Sequence, residues 1–250
     1  MQLSNLSVHH GASTILSGIN AVLPSGQVTA LIGPNGVGKS SLLRAIAGLS
    51  PCRGGLLIGG ATQTRAQLKE RVAYMPQETA ARSSLTLLEV VLLGRVASLG
   101  LSVPHGLLAQ AEAALDHFGL LPLCDRTLDT VSGGQRQMTY LAQALFRAPD
   151  VLLLDEPTAA LDLRHQLVVL DTIRQLADQR NVTVVIALHD LSLAAQFSDR
   201  MMCLHRGGLH AEGTPEAVLT AACLRDVYGV AADISQGPDG RPRVDVLSAL

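Results

Sequence analysis

The sequence predicts a three-layer α/β fold, and three observations carry the prediction. The glycine-rich stretch GPNGVGKSS (33–41) stands between an apolar run and a helical pattern. Two runs, VLLLDEP and VTVVIALHD, are almost wholly apolar until they end in charge, as strands buried on both faces of a parallel sheet do. Strand-like and helix-like segments alternate along the chain, except for one stretch from about Glu78 to Pro149 that reads as helical only.

In chain order, Gln2–Leu23 alternates loosely and reads as short antiparallel strands turning at Gly11 and Gly18. Gln27–Ile32 is an apolar strand that feeds the glycine-rich loop and then a helix, SLLRAIAGL, ended by Gly48 and Pro51. Gly54–Ile58 and Val72–Met75 are further strands. LTLLEVVLLGRV, GLLAQAEAALDHFGL and GGQRQMTYLAQALF then read as helices. After Pro149 the pattern gives a strand at Val151–Leu154, a helix at His165–Gln179, a strand at Val182–Leu188 and a helix at Leu191–Phe197. Arg200–His205 and Gly208–Glu212 flank a Gly207-Gly208 turn as a hairpin, and GPDGRP (237–242) is a turn-rich loop before the last residues.

Composition narrows the function classes. The 250 residues suit one large domain, and 48% of them are hydrophobic, enough for a sizeable core. The net charge is −2 without long basic runs, which argues against nucleic-acid binding. No apolar run approaches the ~20 residues that a spanning helix needs. The N-terminus, MQLSNLSVHH, does not read as a signal peptide. Cys52, Cys124, Cys203 and Cys223 have no metal-ligand spacing and read as reduced core thiols of a cytosolic protein.

Chemistry concentrates in a few places. Gly33-Pro34-Asn35-Gly36-Val37-Gly38-Lys39-Ser40, followed by Ser41, fits G-x-x-x-x-G-K-[ST]. Its glycines let backbone N–H groups wrap a β-phosphate, Lys39 reaches the β- and γ-phosphates, and the Ser40 hydroxyl can ligate Mg²⁺. Lys39 is one of only two lysines against seventeen arginines. Asp155 and Glu156 end a buried strand, where ligands of open α/β sheets gather. Asp155 would hold Mg²⁺ and Glu156 would polarise an attacking water. Gln77 and His189 end two other strands and could converge on the same place. A second glycine turn, VSGGQRQ (131–137), opens a helix and so presents donors and a positive helix end to an anion. One domain thus carries two anion cradles.

The set resembles the ATP-binding cassette (ABC) ATPases. The phosphate loop, Gln77, the signature VSGGQ, VLLLDEP, the turn Thr158–Asp162 and His189 occur in that family's order, over nearly the whole chain. The resemblance implies a P-loop NTPase with a RecA-like core, an antiparallel β subdomain and a helical subdomain at about 78–149, all in one ATPase domain, 1–250. It implies ATP and Mg²⁺ as ligands, and a head-to-tail homodimer in which Ser132, Gly133, Gly134 and Gln135 of one chain close over the ATP held by the other. By position, Gln77 resembles the residue that contacts Mg²⁺ and the lytic water, Asp162 the trans-dimer contact, and His189 the γ-phosphate switch. Two positions depart from the pattern. Val131 stands where the signature usually has Leu, and His10 stands where an aromatic usually stacks on adenine.

LTLLEVVLLGR, AALDLRHQ, LHDLSLAAQFSDR and DVYGV resemble the ATPase subunits of bacterial importers for iron–siderophore complexes, haem or cobalamin. Those work at the cytoplasmic face of the cell membrane with a polytopic permease and a periplasmic or lipid-anchored binding protein. Leu85, Leu88, Val91, Leu92 and Val96 are apolar; some could line a groove for a permease helix, and most read as core. The alternatives are the ATPase of another transporter class, an exporter half, a non-enzymatic nucleotide-gated module, and a soluble cassette ATPase of translation or DNA repair. The last usually carries fused cassettes, a coiled coil or a basic arm, none of which is read here.

Overall fold

The fold is taken from a computed structural model, which describes residues 1–11, 13–77, 83–98, 103–159 and 161–250, with residues 96–98 described by their backbone alone. The elements are β1 (Gln2–His10), β2 (Ser13–Val22), β3 (Val28–Ile32), α1 (Lys39–Ile46), β4 (Cys52–Ile58), β5 (Ala61–Thr62), α2 (Arg65–Arg71) and β6 (Val72–Met75). Then come α3 (Leu87–Leu92), α4 (His105–Asp116), α5 (Gly133–Phe146), β7 (Val151–Asp155), α6 (Leu163–Arg180), β8 (Thr183–Ala187) and α7 (Leu191–Phe197). The chain continues with β9 (Arg200–His205), β10 (Gly208–Gly213), α8 (Pro215–Val218), α9 (Ala221–Tyr228), β11 (Val230–Gln236) and β12 (Pro242–Ala249).

The central sheet has the order β10-β9-β3-β8-β7-β6. Its pairings are parallel except β9 with β10, which form the expected hairpin. β3, β7 and β8 are buried at every position, which explains their unbroken apolar composition. Alternate residues feed two cores, as the two-residue period of a strand requires. Val28, Ala30 and Ile32, with Leu152, Leu154, Val184 and Ile186, face the helices α3–α7 and α9. Leu31, Leu153, Val185 and Ala187 face α1 and a second, antiparallel sheet of order β2-β1-β4-β5.

Local chemistry sets the helix starts. Thr64, Thr86 and Ser132 each close a capping box with a Gln or Glu three residues on. Asp162 and Asp190 cap α6 and α7 through their carboxylates.

The structure departs from the sequence reading in several places, and β5, α8 and α9 are further elements that the sequence pattern does not mark. Gly18 is not a turn: it lies inside β2 with φ +65°, at the irregularity in the β1–β2 register between the pairs Leu6–Ile19 and Val8–Leu16. The short α2 was unread because it buries only Leu68 and so lacks an apolar stripe. The helix after Leu85 is α3, which passes at Leu93 into a 3₁₀ segment kinked at Arg95. GPDGRP joins β11 to β12, a two-stranded sheet seated on α7 and α9; its mostly exposed strands, interrupted by Asp233, Ser235 and Asp245, gave a weak alternation. Of the candidate groove residues, Val91 and Leu92 are core, Leu88 is half-buried and Leu85 lies at the surface, while the Val96 side chain falls outside the described residues. All four cysteines are free; Cys203 and Cys223 are core, whereas Cys52 and Cys124 are half-buried.

Candidate active site

The carboxyl ends of β3, β6, β7 and β8 converge because the four strands run parallel and adjacent in the sheet. The loop after β3 wraps into α1. Gly33 has φ +144°, and a Cβ there would lie 2.5 Å from the Leu204 carbonyl oxygen, so the loop can enter only as glycine. Lys39, the first residue of α1, is buried. Its ammonium donates to the carbonyls of Gly33 at 2.7 Å and Pro34 at 3.2 Å. Burial lowers its pKa, and the carboxylates of Glu156 and Asp155 pull it back up.

A cleft of about 390 Å³ opens above this loop, lined by Ile15, Asn35, Gly36, Gly38, Lys39, Ser40, Ser41, Gln77, Glu156 and His189. Residues from β2, the loop, and the ends of β6, β7 and β8 thus share one space. Glu156 lies at its wall with φ +52°, a conformation that non-glycine residues occupy rarely and at a cost. Its backbone N–H donates to the Ala187 carbonyl at 3.2 Å. One carboxylate oxygen accepts from the Gln77 amide at 2.5 Å, and the other is in contact with His189 Nε2.

Asp155 sits deeper. Its Oδ2 accepts from the Tyr74 hydroxyl at 3.2 Å, and Arg44 Nε donates to the same hydroxyl at 3.4 Å. Its Oδ1 is buried without a hydrogen-bond partner among the described atoms. A buried, unpartnered carboxylate oxygen is costly unless a cation satisfies it. With the Ser40 hydroxyl in the adjoining cleft, the donors are hard oxygens, the type Mg²⁺ takes.

Not every candidate lies here. Ser132, Gly133, Gly134 and Gln135 start α5 outside this cleft, and Ser132 and Gly133 are exposed. Ser132 Oγ accepts from the Gln135 N–H at 3.2 Å, and Gln135 Oε1 accepts from the Ser132 N–H at 3.0 Å. Asp162 is likewise exposed and outside it; the backbone N–H and then the imidazole of His165 lower its pKa. His10 ends β1 and is exposed, and the cleft wall near the loop is Ile15 instead. Val131 is buried in the helical core, as expected of a packing residue.

Three contributors escaped the sequence reading. Tyr74 looked like one more strand residue. Gln166 follows the cap of α6, and its amide donates to the carbonyls of Thr158 and Leu161, both at 3.2 Å. Gln137 is buried on α5, and its amide donates to the Glu156 carbonyl at 3.2 Å. A polar residue on the face of α5 that also buries Leu141 and Ala144 was the available signal for Gln137.

Residues 16–159 match the family described as ABC transporter. The chain belongs to that family. A hemin import ATP-binding protein HmuV of Nitrobacter winogradskyi is 36% identical, the match spanning 97% of this chain and 93% of the relative. An ABC transporter of metal-chelate type, solved in an inward-facing conformation, aligns with TM-score 0.83 and 27% identity over 99% of this chain and 97% of that one. A bacterial ABC transporter cassette solved as a dimer aligns with TM-score 0.76 and 25% identity, covering 86% and 98% respectively. The ABC chain described here is therefore an ATP-binding, ATP-hydrolysing subunit. None of its described helices is long and apolar enough to cross a membrane.

Proposed function

We propose that this chain powers a bacterial importer of a metal chelate, an iron–siderophore complex, haem or cobalamin, from the cytoplasmic face of the membrane. It is read as one ATPase domain, 1–250, whose helical part spans about 78–149. Its partners are a second copy of itself and a polytopic permease, with a periplasmic or lipid-anchored binding protein beyond. The hemin relative and the metal-chelate neighbour support the substrate class.

One observation carries the chemistry: Glu156 stands at the wall of the Lys39 cleft with both carboxylate oxygens engaged by Gln77 and His189. A carboxylate so placed can accept a proton from water while Lys39 and the loop N–H groups hold the triphosphate. His189, about half exposed, can move from Glu156 toward a γ-phosphate. Asp155 and Ser40 would hold Mg²⁺, with Gln77 beside them; the ion supplies charge neutralisation on the phosphates. His10, at the β1 end, is the residue offered to adenine.

Two exposed features support the head-to-tail dimer. The Ser132–Gln135 turn lies outside its own cleft with Ser132 and Gly133 exposed, and Leu163, next to Asp162, leaves 78% of its surface exposed. A second chain would cover the apolar residue and receive the Gly133 and Gly134 N–H groups of the turn on its own γ-phosphate, making nucleotide the link between the copies.

The test is the Glu156→Gln variant, tagged and solubilised from native membranes with ATP and Mg²⁺. We expect retained ATP binding, hydrolysis lowered at least ~100-fold, and a polytopic permease copurifying in stoichiometric amount. Recovery with ribosomal or DNA-repair proteins alone would replace the transport reading with that of a soluble ATPase.

A further inference from the structure

Glu156 holds a strained backbone, so its neighbours must impose it. A φ of +52° is costly for a residue with a side chain. Four contacts from elsewhere in the fold hold Glu156, beside the Ala159 N–H of its own loop, which donates to its carbonyl at 3.3 Å. The Ala187 carbonyl accepts its N–H, and Gln77 and His189 engage its carboxylate. All three of these come from the ends of strands in the central sheet. The fourth is the amide of Gln137, donated to the Glu156 carbonyl from α5, the helix that begins at the VSGGQ turn.

Gln137 is 4% exposed and lies about one helical turn from Ser132 and Gly133. Its amide therefore joins the turn offered to one nucleotide to the carboxylate that acts on the other. We infer that Gln137 is a positioning residue: it sets the backbone of Glu156 according to the placement of α5, so that engagement of the VSGGQ turn by a partner is felt at this chain's own cleft. This rests on the proposed role of Glu156 and on the head-to-tail dimer.

Rotation or withdrawal of α5 removes the one donor to the Glu156 carbonyl that comes from outside its own loop, leaving the Ala159 N–H at 3.3 Å. The strained φ then loses part of its support, and the carboxylate can leave its place between Gln77 and His189. Lys39 keeps its hydrogen bonds through that change, since they go to the carbonyls of Gly33 and Pro34. Loss of Gln137 should thus separate binding from turnover.

The experiment compares the full chain with Gln137→Leu, which keeps the volume and removes the donor, and with Gln137→Glu, which keeps the shape and replaces the donor by an acceptor. Expected are ATP dissociation constants within about twofold of the parent and kcat lowered about tenfold or more, equivalent to ~1.4 kcal/mol. Hydrogen exchange in the Asp155–Leu161 segment should speed up by a similar factor, which reads the loop without relying on hydrolysis. A parental kcat with parental exchange in Gln137→Leu, while Glu156→Gln is inactive, overturns this inference and leaves the role of Glu156 standing. ATP affinity falling in step with kcat also overturns it, since Gln137 would then be a general packing residue. Glu156→Gln hydrolysing at the parental rate overturns both.

Discussion

The chain has two glycine-rich helix starts, and they are built on opposite terms. At the first, Gly33 has φ +144° and meets the Leu204 carbonyl at 2.5 Å from where a Cβ would be. The chain itself demands that glycine. At the second, Gly133 has no positive φ, and a Cβ there would meet nothing within 4 Å. The chain alone has no use for it. The first cradle is also buried around Lys39, whereas the second is exposed and capped only by its own Ser132 and Gln135. A glycine without an internal reason points to an external one, which in the proposed head-to-tail dimer is the phosphate held by a second chain.

Gly33→Ala should give the largest effect, because it attacks the cradle that the fold has built around itself. Strain and the clash with Leu204 should cost roughly 2–4 kcal/mol of stability and weaken ATP binding at least ~tenfold. Thermal unfolding and equilibrium ATP binding read both. An alanine variant with parental melting temperature and affinity would remove the contrast on which the comparison stands.

The difference between the cradles also explains what was legible in the sequence. The first cradle was readable because a strand, a glycine loop, Lys39 and a helix must follow one another directly. The parallel strands β3, β7 and β8 were readable because burial on both faces leaves unbroken apolar runs. The second cradle could be placed on a helix start, but its distance from the chain's own cleft is a fact of three dimensions. The contacts of Gln137 and Gln166 were invisible for the same reason: each reaches a backbone carbonyl in a loop, and a carbonyl has no sequence signature. The β11–β12 hairpin was missed because its surface-lying strands carry little of the apolar alternation that marks a half-buried sheet. Resemblance alone places His10 at the adenine position, and only the fold brings Ile15 into the cleft wall.

Gly133→Ala acts on the second helix start and should have a smaller effect. Alanine is the better helix former, so the isolated chain should keep its stability or gain up to ~0.5 kcal/mol. ATP binding to the single chain should be unchanged. ATP-dependent dimerisation in the Glu156→Gln background should weaken severalfold, since an added methyl stands where a phosphate must approach backbone N–H groups. Sedimentation of the two backgrounds with and without ATP decides it; unaltered dimerisation would return Gly133 to the status of an ordinary helix start.

The smallest effect belongs to Asp162, another exposed helix cap that the chain satisfies by itself. The His165 N–H and imidazole hold its carboxyl below the usual carboxylate range. A group whose folded pKa is depressed contributes stability that is present above its unfolded value and lost as pH falls through the folded one. The cap should therefore add to the melting temperature at neutral pH and cease to do so in acid. Because the carboxyl is fully exposed, solvent screening keeps the contribution slight. Comparing the parent with Asp162→Ala, the difference in melting temperature should shrink as the pH is lowered below the ordinary aspartate pKa. A difference that stays constant across that range would mean that Asp162 acts on stability through packing or backbone shape, and that its charge is free for the partner chain alone.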